Sequence, residues 1–195
     1  MKTIRQLSTA DAPALQALRA AALVESPTAF GASPAEDFSR SVAETAARLV
    51  EDANRAVFGL FDETVLVAMT GIARESMTKL AHKAGIWGVY VSPAHRGTGI
   101  GKKLLIKALK FAENLLGVRQ VNLYVNATNA NAIALYESLG FVTFGLEHDG
   151  LMIDGVAHDE LLMARVLTRL SIANDDEDGD GHSSGRVRTL PGLRN

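Results

Sequence analysis

The chain has 195 residues, no cysteine, a formal net charge of −2 and 47% hydrophobic residues. This length suits one domain with its own core, and the lack of cysteine excludes disulfides, a cysteine metal site and a cysteine nucleophile. The small net charge gives no electrostatic basis for binding nucleic acid or an anionic membrane surface. Because the sequence has neither a signal-like apolar segment nor a run of about 20 apolar residues, we expect a soluble, cytoplasmic protein.

The first part of the chain shows the patterns of one strand followed by two helices. Residues 3–7 alternate between apolar and polar, which is typical of a strand. A capping-box pattern over residues 8–11 predicts a helix that ends before Pro27. Pro34, at a tolerated first-turn position, predicts the start of a second helix that continues to about Asp52.

The remaining elements alternate between strands and helices in the middle of the chain and pair through hairpins elsewhere. Asp62-Glu63-Thr64 and Asp154-Gly155 have the composition of hairpin turns. We expect strands over residues 57–61, 65–73, 85–91, 120–125, 141–148 and 156–166, and helices after Gly101 and over residues 129–138. This order predicts an α/β (α+β mixed) fold, with a mixed sheet flanked by helices in a single domain.

The C-terminal segment differs in composition from the rest of the chain. Residues 171–195 contain five acidic residues and three arginines but only five hydrophobic residues. Such a segment cannot bury enough surface to offset its ordering entropy. We therefore expect one domain over residues 1–170, followed by a disordered acidic and polar tail over 171–195.

The central stretch joins an apolar strand to an amphipathic helix through a turn that holds three glycines. The strand stops before Pro93, and after Gly101 the apolar residues recur at the spacing of one helix face. Glycine lets the backbone approach a ligand closely, and the first-turn N–H groups of a helix have no partner inside the helix. The stretch therefore predicts an anion site, most often for phosphate.

Two common phosphate-binding patterns do not fit this stretch. A P-loop requires glycine where Arg96 stands, and Ser or Thr where Lys103 stands. A dinucleotide-binding loop requires a third glycine where Lys102 stands and a carboxylate at the end of the next strand, residues 120–125, which has none.

A third pattern fits, and a second motif downstream supports it. The pattern Q/R-x-x-G-x-G/A is matched by Arg96, Gly99 and Gly101. The pattern N-x-x-A-x-x-L-Y-x-x-x-G-F is matched by Asn129, Ala132, Leu135, Tyr136, Gly140 and Phe141. With these two motifs in this order, the chain resembles the GNAT superfamily of acyl-CoA-dependent N-acyltransferases over residues 3–167. The resemblance implies a splayed sheet, in which the cofactor enters where the strands ending at Val91 and Val125 diverge.

The resemblance also implies a set of site residues. Backbone N–H groups of the glycine loop would hold the pyrophosphate of acetyl-CoA, and the strand before the loop would hold the pantetheine arm and stabilise the oxyanion. Asn129 would contact the cofactor near its thiol, with a helix N-cap role as the alternative. The implied cofactor-binding residues are Val89, Tyr90, Val91, Arg96, Gly97, Thr98, Gly99, Ile100, Gly101, Lys102 and Asn129.

Tyr136 matches the general acid of the family, which protonates the coenzyme A thiolate. The alternative is an ordinary half-buried aromatic residue. A general base is missing from its customary places, which correspond here to Gly85 and Tyr124. Candidates elsewhere are Glu75, His82, Glu36, His148, His158 or a water relay past Tyr124.

The segment over residues 27–38 lies where family members build the acceptor pocket. Phe30 and Phe38 are candidates for its walls, with Glu36 or Asp37 attracting a cationic amine, although the two phenylalanines are better explained as plain apolar anchors for a loop and a helix.

The resemblance implies an N-acetyltransferase that uses acetyl-CoA and no metal. The acetyl group would pass directly, in a ternary complex, to a primary amine of a small molecule, an amino acid or a protein, and a homodimer is left open. One alternative is a CoA-binding sensor or interaction module that has lost catalysis along with its base. Another is a nucleotide-binding regulator that uses the loop for ATP.

Overall fold

The computed structural model describes residues 1–115 and 117–167. Within these ranges the chain forms five α-helices and one seven-stranded sheet. The helices are α1 (Ala12–Glu25), α2 (Pro34–Phe38), α3 (Val42–Arg48), α4 (Ile100–Asn114) and α5 (Ala130–Glu137). The strands are β1 (Lys2–Gln6), β2 (Arg55–Asp62), β3 (Val65–Arg74), β4 (Lys83–Val91), β5 (Gln120–Asn126), β6 (Val142–Ile153) and β7 (Val156–Val166).

The sheet has the order β1-β2-β3-β4-β5-β7-β6, and the pair β4–β5 is parallel while the other neighbours are antiparallel. The parallel pair connects through α4, as parallel strands require a crossover. The register of β4 on β5 extends only from Lys83 to Gly85, opposite Gln120 to Asn122. Beyond Gly85 the two strands separate, so the predicted mixed, splayed sheet flanked by helices is confirmed.

Helices cover the two faces of the sheet and create two hydrophobic cores. On one face, α4 and α5 pack over the central strands; on the other, α1 and α3 pack over β2, β3 and β4. The α4 residues that face the sheet follow the predicted helical spacing: Ile100, Leu104, Leu105, Ala108, Leu109 and Ala112. Each fully buried leucine contributes about 1.5–3 kcal/mol to folding, so these cores fix the position of the strand ends.

One element differs from the sequence prediction. A single helix from Pro34 to about Asp52 is wrong, because α2 ends at Phe38 and α3 begins at Val42. The break arises at Ser41, whose backbone is extended and whose Oγ accepts from the Glu44 N–H at 3.2 Å. The Glu44 carboxylate in turn accepts from the Ser41 N–H at 2.7 Å, which completes a capping box.

The two predicted hairpins are confirmed. Glu63 has a φ of 55° between β2 and β3, and Asp154 and Gly155 have φ values of 49° and 77° between β6 and β7. Strand β6 continues to Ile153, beyond its predicted end at His148, because a bulge after Glu147 lets pairing with β7 resume. The tail predicted over residues 171–195 lies outside the described residues. In the described ranges, no helix is long and apolar enough to span a membrane.

We expect Gly71→Ala to destabilise the fold near the point where the sheet splays. A Cβ at position 71 would lie 2.6 Å from Cδ2 of Trp87 and closer still to two other ring atoms. The indole would have to move, at a cost typical of overpacking, about 1–3 kcal/mol. Gly85→Ala is the matched control, since a Cβ there meets nothing within 4 Å. Thermal denaturation measures both variants, and equal stabilities would contradict the expected clash.

Candidate active site

The loop between β4 and α4 needs glycine for its backbone conformation. Gly97 and Gly99 have φ values of 73° and 77°, and a Cβ at either position would meet nothing within 4 Å. The requirement is thus conformational rather than steric, since only glycine adopts positive φ without cost. Gly99 occupies the N-cap position of α4.

Side chains hold this loop from within and from the sheet. The Thr98 hydroxyl donates to the His95 carbonyl at 2.7 Å. The His95 ring lies between the Ser92 hydroxyl, at 2.8 Å, and the Asp62 carboxylate at the end of β2, at 3.1 Å. The loop is therefore tied at two places before any ligand binds.

Arg96 joins the loop to α1. Its Nε donates to the Val91 carbonyl at 2.9 Å, and its two Nη atoms donate to the Glu25 carboxylate at 2.9 and 2.6 Å. This ion pair is the main reason that the pKa of Glu25 falls to about 2. The Arg96 side chain is thus engaged with protein atoms, and its predicted contact with a cofactor stays a prediction.

A run of backbone N–H groups around the start of α4 has no acceptor in the protein. Within the described ranges, none of the N–H groups from Gly97 to Lys102 donates to a backbone or side-chain atom, whereas the next one, of Lys103, bonds to Gly99. These six groups lie around the N-terminus of α4, which is the positive end of the helix dipole. Together they can bind a phosphate or pyrophosphate without side-chain charge.

Strand β4 offers a second set of unpaired backbone groups. Because β5 leaves β4 after Gly85, the β4 edge from Ile86 to Val91 has no strand partner on that side. Gly88 has a φ of 62° and lies in a bulge opposite Thr70 of β3. An exposed strand edge can bind an extended ligand through main-chain hydrogen bonds.

The side chains of the three residues predicted on this strand are directed elsewhere. Tyr90 is buried against α1, with its ring centroid 6.4 Å from that of Phe30. Val89 and Val91 are half-buried against the α4 core. Any ligand contact from Val89, Tyr90 and Val91 would therefore come from the backbone, as the sequence predicts.

A cleft of about 110 Å³ opens where β4 and β5 separate. Its wall is built from β4, β5, α5, β7 and the turn at residues 27–29. The cleft residues with polar side chains are Trp87, Tyr124, Asn126, Asn129, Tyr136 and Glu160.

Tyr136 occupies the α5 side of this cleft. Its side chain is 6% exposed, and its ring packs edge-on against Phe141 at 6.0 Å between centroids. Its hydroxyl has no hydrogen-bond partner among the described residues, and burial raises its pKa to about 12. At neutral pH Tyr136 is therefore protonated, which a proton donor requires.

Asn129 caps α5. Its Oδ1 accepts from the Ala132 N–H at 3.1 Å, so the N-cap alternative is confirmed. The residue also lines the cleft, where its contact with a cofactor stays a prediction.

None of the acids and histidines predicted as alternative bases lines the cleft. Glu75 and His82 precede β4, at the end of that strand opposite Val91. The Glu36 carboxylate caps α2 at Ser33, and His148 pairs with Asp159 at 3.1 Å. His158 lies on β7, outside the cleft lining.

Three polar cleft residues were not predicted from the sequence, Trp87, Asn126 and Glu160. Glu160 reaches the cleft through the register of β7 on β5, in which it lies directly opposite Asn126. The mixed pattern of residues 156–166 predicts a strand, but it identifies neither the partner strand nor the residues that face the cleft. Asn126 is 3% exposed, and its Nδ2 has no hydrogen-bond partner in the described part of the chain.

None of the four candidate acceptor residues, Phe30, Glu36, Asp37 and Phe38, lines the cleft. Asp37 is buried and binds Arg19 at 3.0 Å and Arg40 at 2.8 Å, so its charge is compensated within the protein. Phe30 belongs to the core, and Phe38 is 58% exposed and lies outside the cleft. A second cavity of about 240 Å³, lined by these two arginines among others, shares Trp87 with the cleft.

A comparison with known protein families identifies the family of this chain. The sequence model of the acetyltransferase (GNAT) family matches residues 16–141, which includes β4, the glycine loop, α4, β5 and α5. The chain belongs to the GNAT acetyltransferase family. The resemblance drawn from the two sequence motifs is thereby confirmed.

Curated relatives and solved structures of the GNAT family differ in their acceptors. Spermidine N(1)-acetyltransferase of Vibrio cholerae is 27% identical over 140 residues, which cover 69% of this chain and 74% of that protein. A mycothiol acetyltransferase of Thermobispora bispora is 40% identical, but over 62 residues that cover 32% of this chain and only 21% of that protein.

The fold is shared with crystal structures of the same family. A phosphinothricin acetyltransferase of Sinorhizobium meliloti, solved in complex with acetyl-CoA, superposes with a TM-score of 0.74 at 24% identity, covering 85% of this chain and 88% of that one. A ribosomal-protein-alanine N-acetyltransferase of Brucella melitensis has a TM-score of 0.68 at 27% identity, covering 85% and 99%.

Proposed function

We propose that this GNAT protein transfers an acetyl group from acetyl-CoA to a primary amine. The observation that carries the proposal is the run of six unpaired N–H groups from Gly97 to Lys102 at the start of α4. It forms a binding site for the pyrophosphate of coenzyme A, at the helix end that favours negative charge. The acetyl-CoA complex of the Sinorhizobium meliloti relative supports the choice of cofactor.

The open edge of β4 would guide the rest of the cofactor. The pantetheine arm carries amide groups that can pair with the open edge of β4 between Ile86 and Tyr90, as an added strand would. This path leads from the glycine loop to the cleft that contains Tyr136. The thioester would then lie where β4 and β5 diverge.

The transfer itself would proceed in a ternary complex. The amine nitrogen attacks the thioester carbonyl, and a backbone N–H near the Gly88 bulge stabilises the developing oxyanion. As the C–S bond breaks, Tyr136 gives its hydroxyl proton to the thiolate. The sequence has no cysteine that could form a thioester intermediate.

The identity of the acceptor would be tested with amines that correspond to the names of the relatives. Spermidine, phosphinothricin and a peptide with an N-terminal alanine are three chemically different probes. Thiol release from acetyl-CoA is measured with each, alongside calorimetric titration of acetyl-CoA. We expect binding, with release stimulated by one acceptor class. Binding without stimulated release by any probe would favour the CoA-binding sensor instead. The homodimer and the cytoplasmic location stay predictions.

A further inference from the structure

Glu160 is the one carboxylate among the described residues that line the reaction cleft. It lies on β7 directly opposite Asn126 of β5, so the two side chains share one face of the sheet. Tyr124, two residues before Asn126, lies on the same face and is 59% exposed. Tyr124 stands at one of the customary positions of the general base. Glu160 therefore supplies a carboxylate on the strand next to that position.

The surroundings of Glu160 leave its carboxylate without a counter-ion. Within the described ranges it makes no ion pair and no hydrogen bond. Its side chain lies against Gly150 of β6, where a Cβ would come within 3.3 Å of Oε2. A half-buried, unpaired carboxylate is costly, and a cationic ligand or a proton would relieve that cost.

The charged groups around Glu160 favour proton uptake. Glu147 of β6 is directly opposite it, and His158 lies two residues before it on the same face of β7. From β5 and the rest of the cleft, the facing polar groups are Asn126, Tyr124 and Tyr136, and none of them is a carboxylate or a basic side chain. Burial first, and then the charge of Glu147, raise the pKa of Glu160 above its ordinary value.

Asn126 supplies an independent sign that a ligand belongs at this place. Its Oδ1 accepts from the N–H and the hydroxyl of Thr128, at 3.0 and 2.6 Å, which fixes the orientation of the amide. Its Nδ2 is left as a buried donor without an acceptor. Buried donors are nearly always paired, so we expect an oxygen of the acceptor or of a bound water beside Glu160.

We propose that Glu160 is the general base of the acetyl transfer, taking a proton from the ammonium group of the acceptor in the cleft. This proposal rests on the proposed function. The amine gives one proton to the Glu160 carboxylate, directly or through one water, and its nitrogen then forms the C–N bond as the C–S bond breaks. The thiolate takes the Tyr136 proton, the second amine proton restores the tyrosine, and Glu160 releases its proton to solvent.

The test compares pH profiles of kcat/KM for the wild-type protein, Glu160→Gln and Glu147→Gln, with spermidine, phosphinothricin and the alanine peptide as probes. Loss of a general base lowers the rate by about 10²–10⁴-fold. We therefore expect this loss in Glu160→Gln, together with disappearance of the acid limb of the profile. The active base is the deprotonated form, and removing the Glu147 charge favours that form. The acid limb of Glu147→Gln should therefore move to lower pH.

Glu137→Gln is the matched control, because Glu137 is an exposed glutamate on α5 outside the cleft lining. It should retain the wild-type rate and profile. A structural role of Glu160 would change stability without moving the acid limb. Wild-type kinetics and pH profile in Glu160→Gln would overturn the base assignment and leave the proposed function standing. Failure of the wild-type protein to bind acetyl-CoA would overturn both.

Discussion

Gly99→Glu is expected to abolish acetyl-CoA binding. The substitution places a side chain and a negative charge among the six unpaired N–H groups that we assign to the pyrophosphate. It also replaces glycine at a φ of 77°, so the loop must change its conformation to accept the new residue. Two like charges about 4 Å apart repel by about 4 kcal/mol near a protein surface, so a thousand-fold loss of affinity or more follows. Calorimetric titration of acetyl-CoA measures it.

Gly155→Glu is a closely matched control for this variant. Gly155 has the same φ of 77° in the turn between β6 and β7, and a Cβ there also meets nothing within 4 Å. Both variants therefore place a glutamate at the same positive φ and add the same charge. We expect Gly155→Glu to bind acetyl-CoA as the wild-type protein does. Equal affinities for all three proteins would contradict the assignment of the loop.

Tyr136→Phe is expected to lower turnover by about 10²-fold or more with little change in cofactor affinity. The variant removes the hydroxyl that would protonate the departing thiolate. General acids typically increase reaction rates by about 10²–10⁴-fold. The hydroxyl makes no hydrogen bond among the described residues, so its loss leaves no partner unsatisfied. The aromatic ring, with its edge-on contact to Phe141, is retained.

Steady-state kinetics with thiol detection separates this role from a structural one. The melting temperature and the acetyl-CoA dissociation constant serve as internal controls, and both should stay close to those of the wild-type protein. A Tyr136→Phe variant with full turnover would remove this residue from the mechanism. A variant with reduced cofactor affinity and unchanged turnover would identify Tyr136 as a binding residue instead.

The sequence was sufficient to predict the parts of the structure that local residue patterns determine. The glycines at 97 and 99, the helical spacing after Gly101 and the turn at Asp154-Gly155 each fix a local conformation, and the structure has all of them. The prediction of one helix from Pro34 to Asp52 was wrong because apolar and acidic residues continue past Phe38. The capping box of Ser41 and Glu44, which begins α3 as a separate helix, is visible in the sequence but was not included in that prediction.

Contacts between distant residues could not be read in the same way. Arg96 meets Glu25 across 71 positions, and Asp37 meets Arg19 across 18, so neither ion pair has a local signal. Glu160 reaches the cleft only because β7 lies between β5 and β6 with a fixed register. The residue pattern of β7 alone does not reveal that this strand lies next to β5, so Glu160 could not be assigned to the cleft from the sequence.

Identification of the products of the wild-type protein is the most direct test of acetyl transfer. The protein is incubated with acetyl-CoA and, separately, with spermidine, phosphinothricin and the alanine peptide, and mass spectrometry follows the amines while thiol release is counted. We predict one acetylated amine per released thiol for one acceptor class, and loss of that product in Gly99→Glu. Thiol release with no acetylated amine, or an equal yield from Gly99→Glu, would contradict transfer at this site.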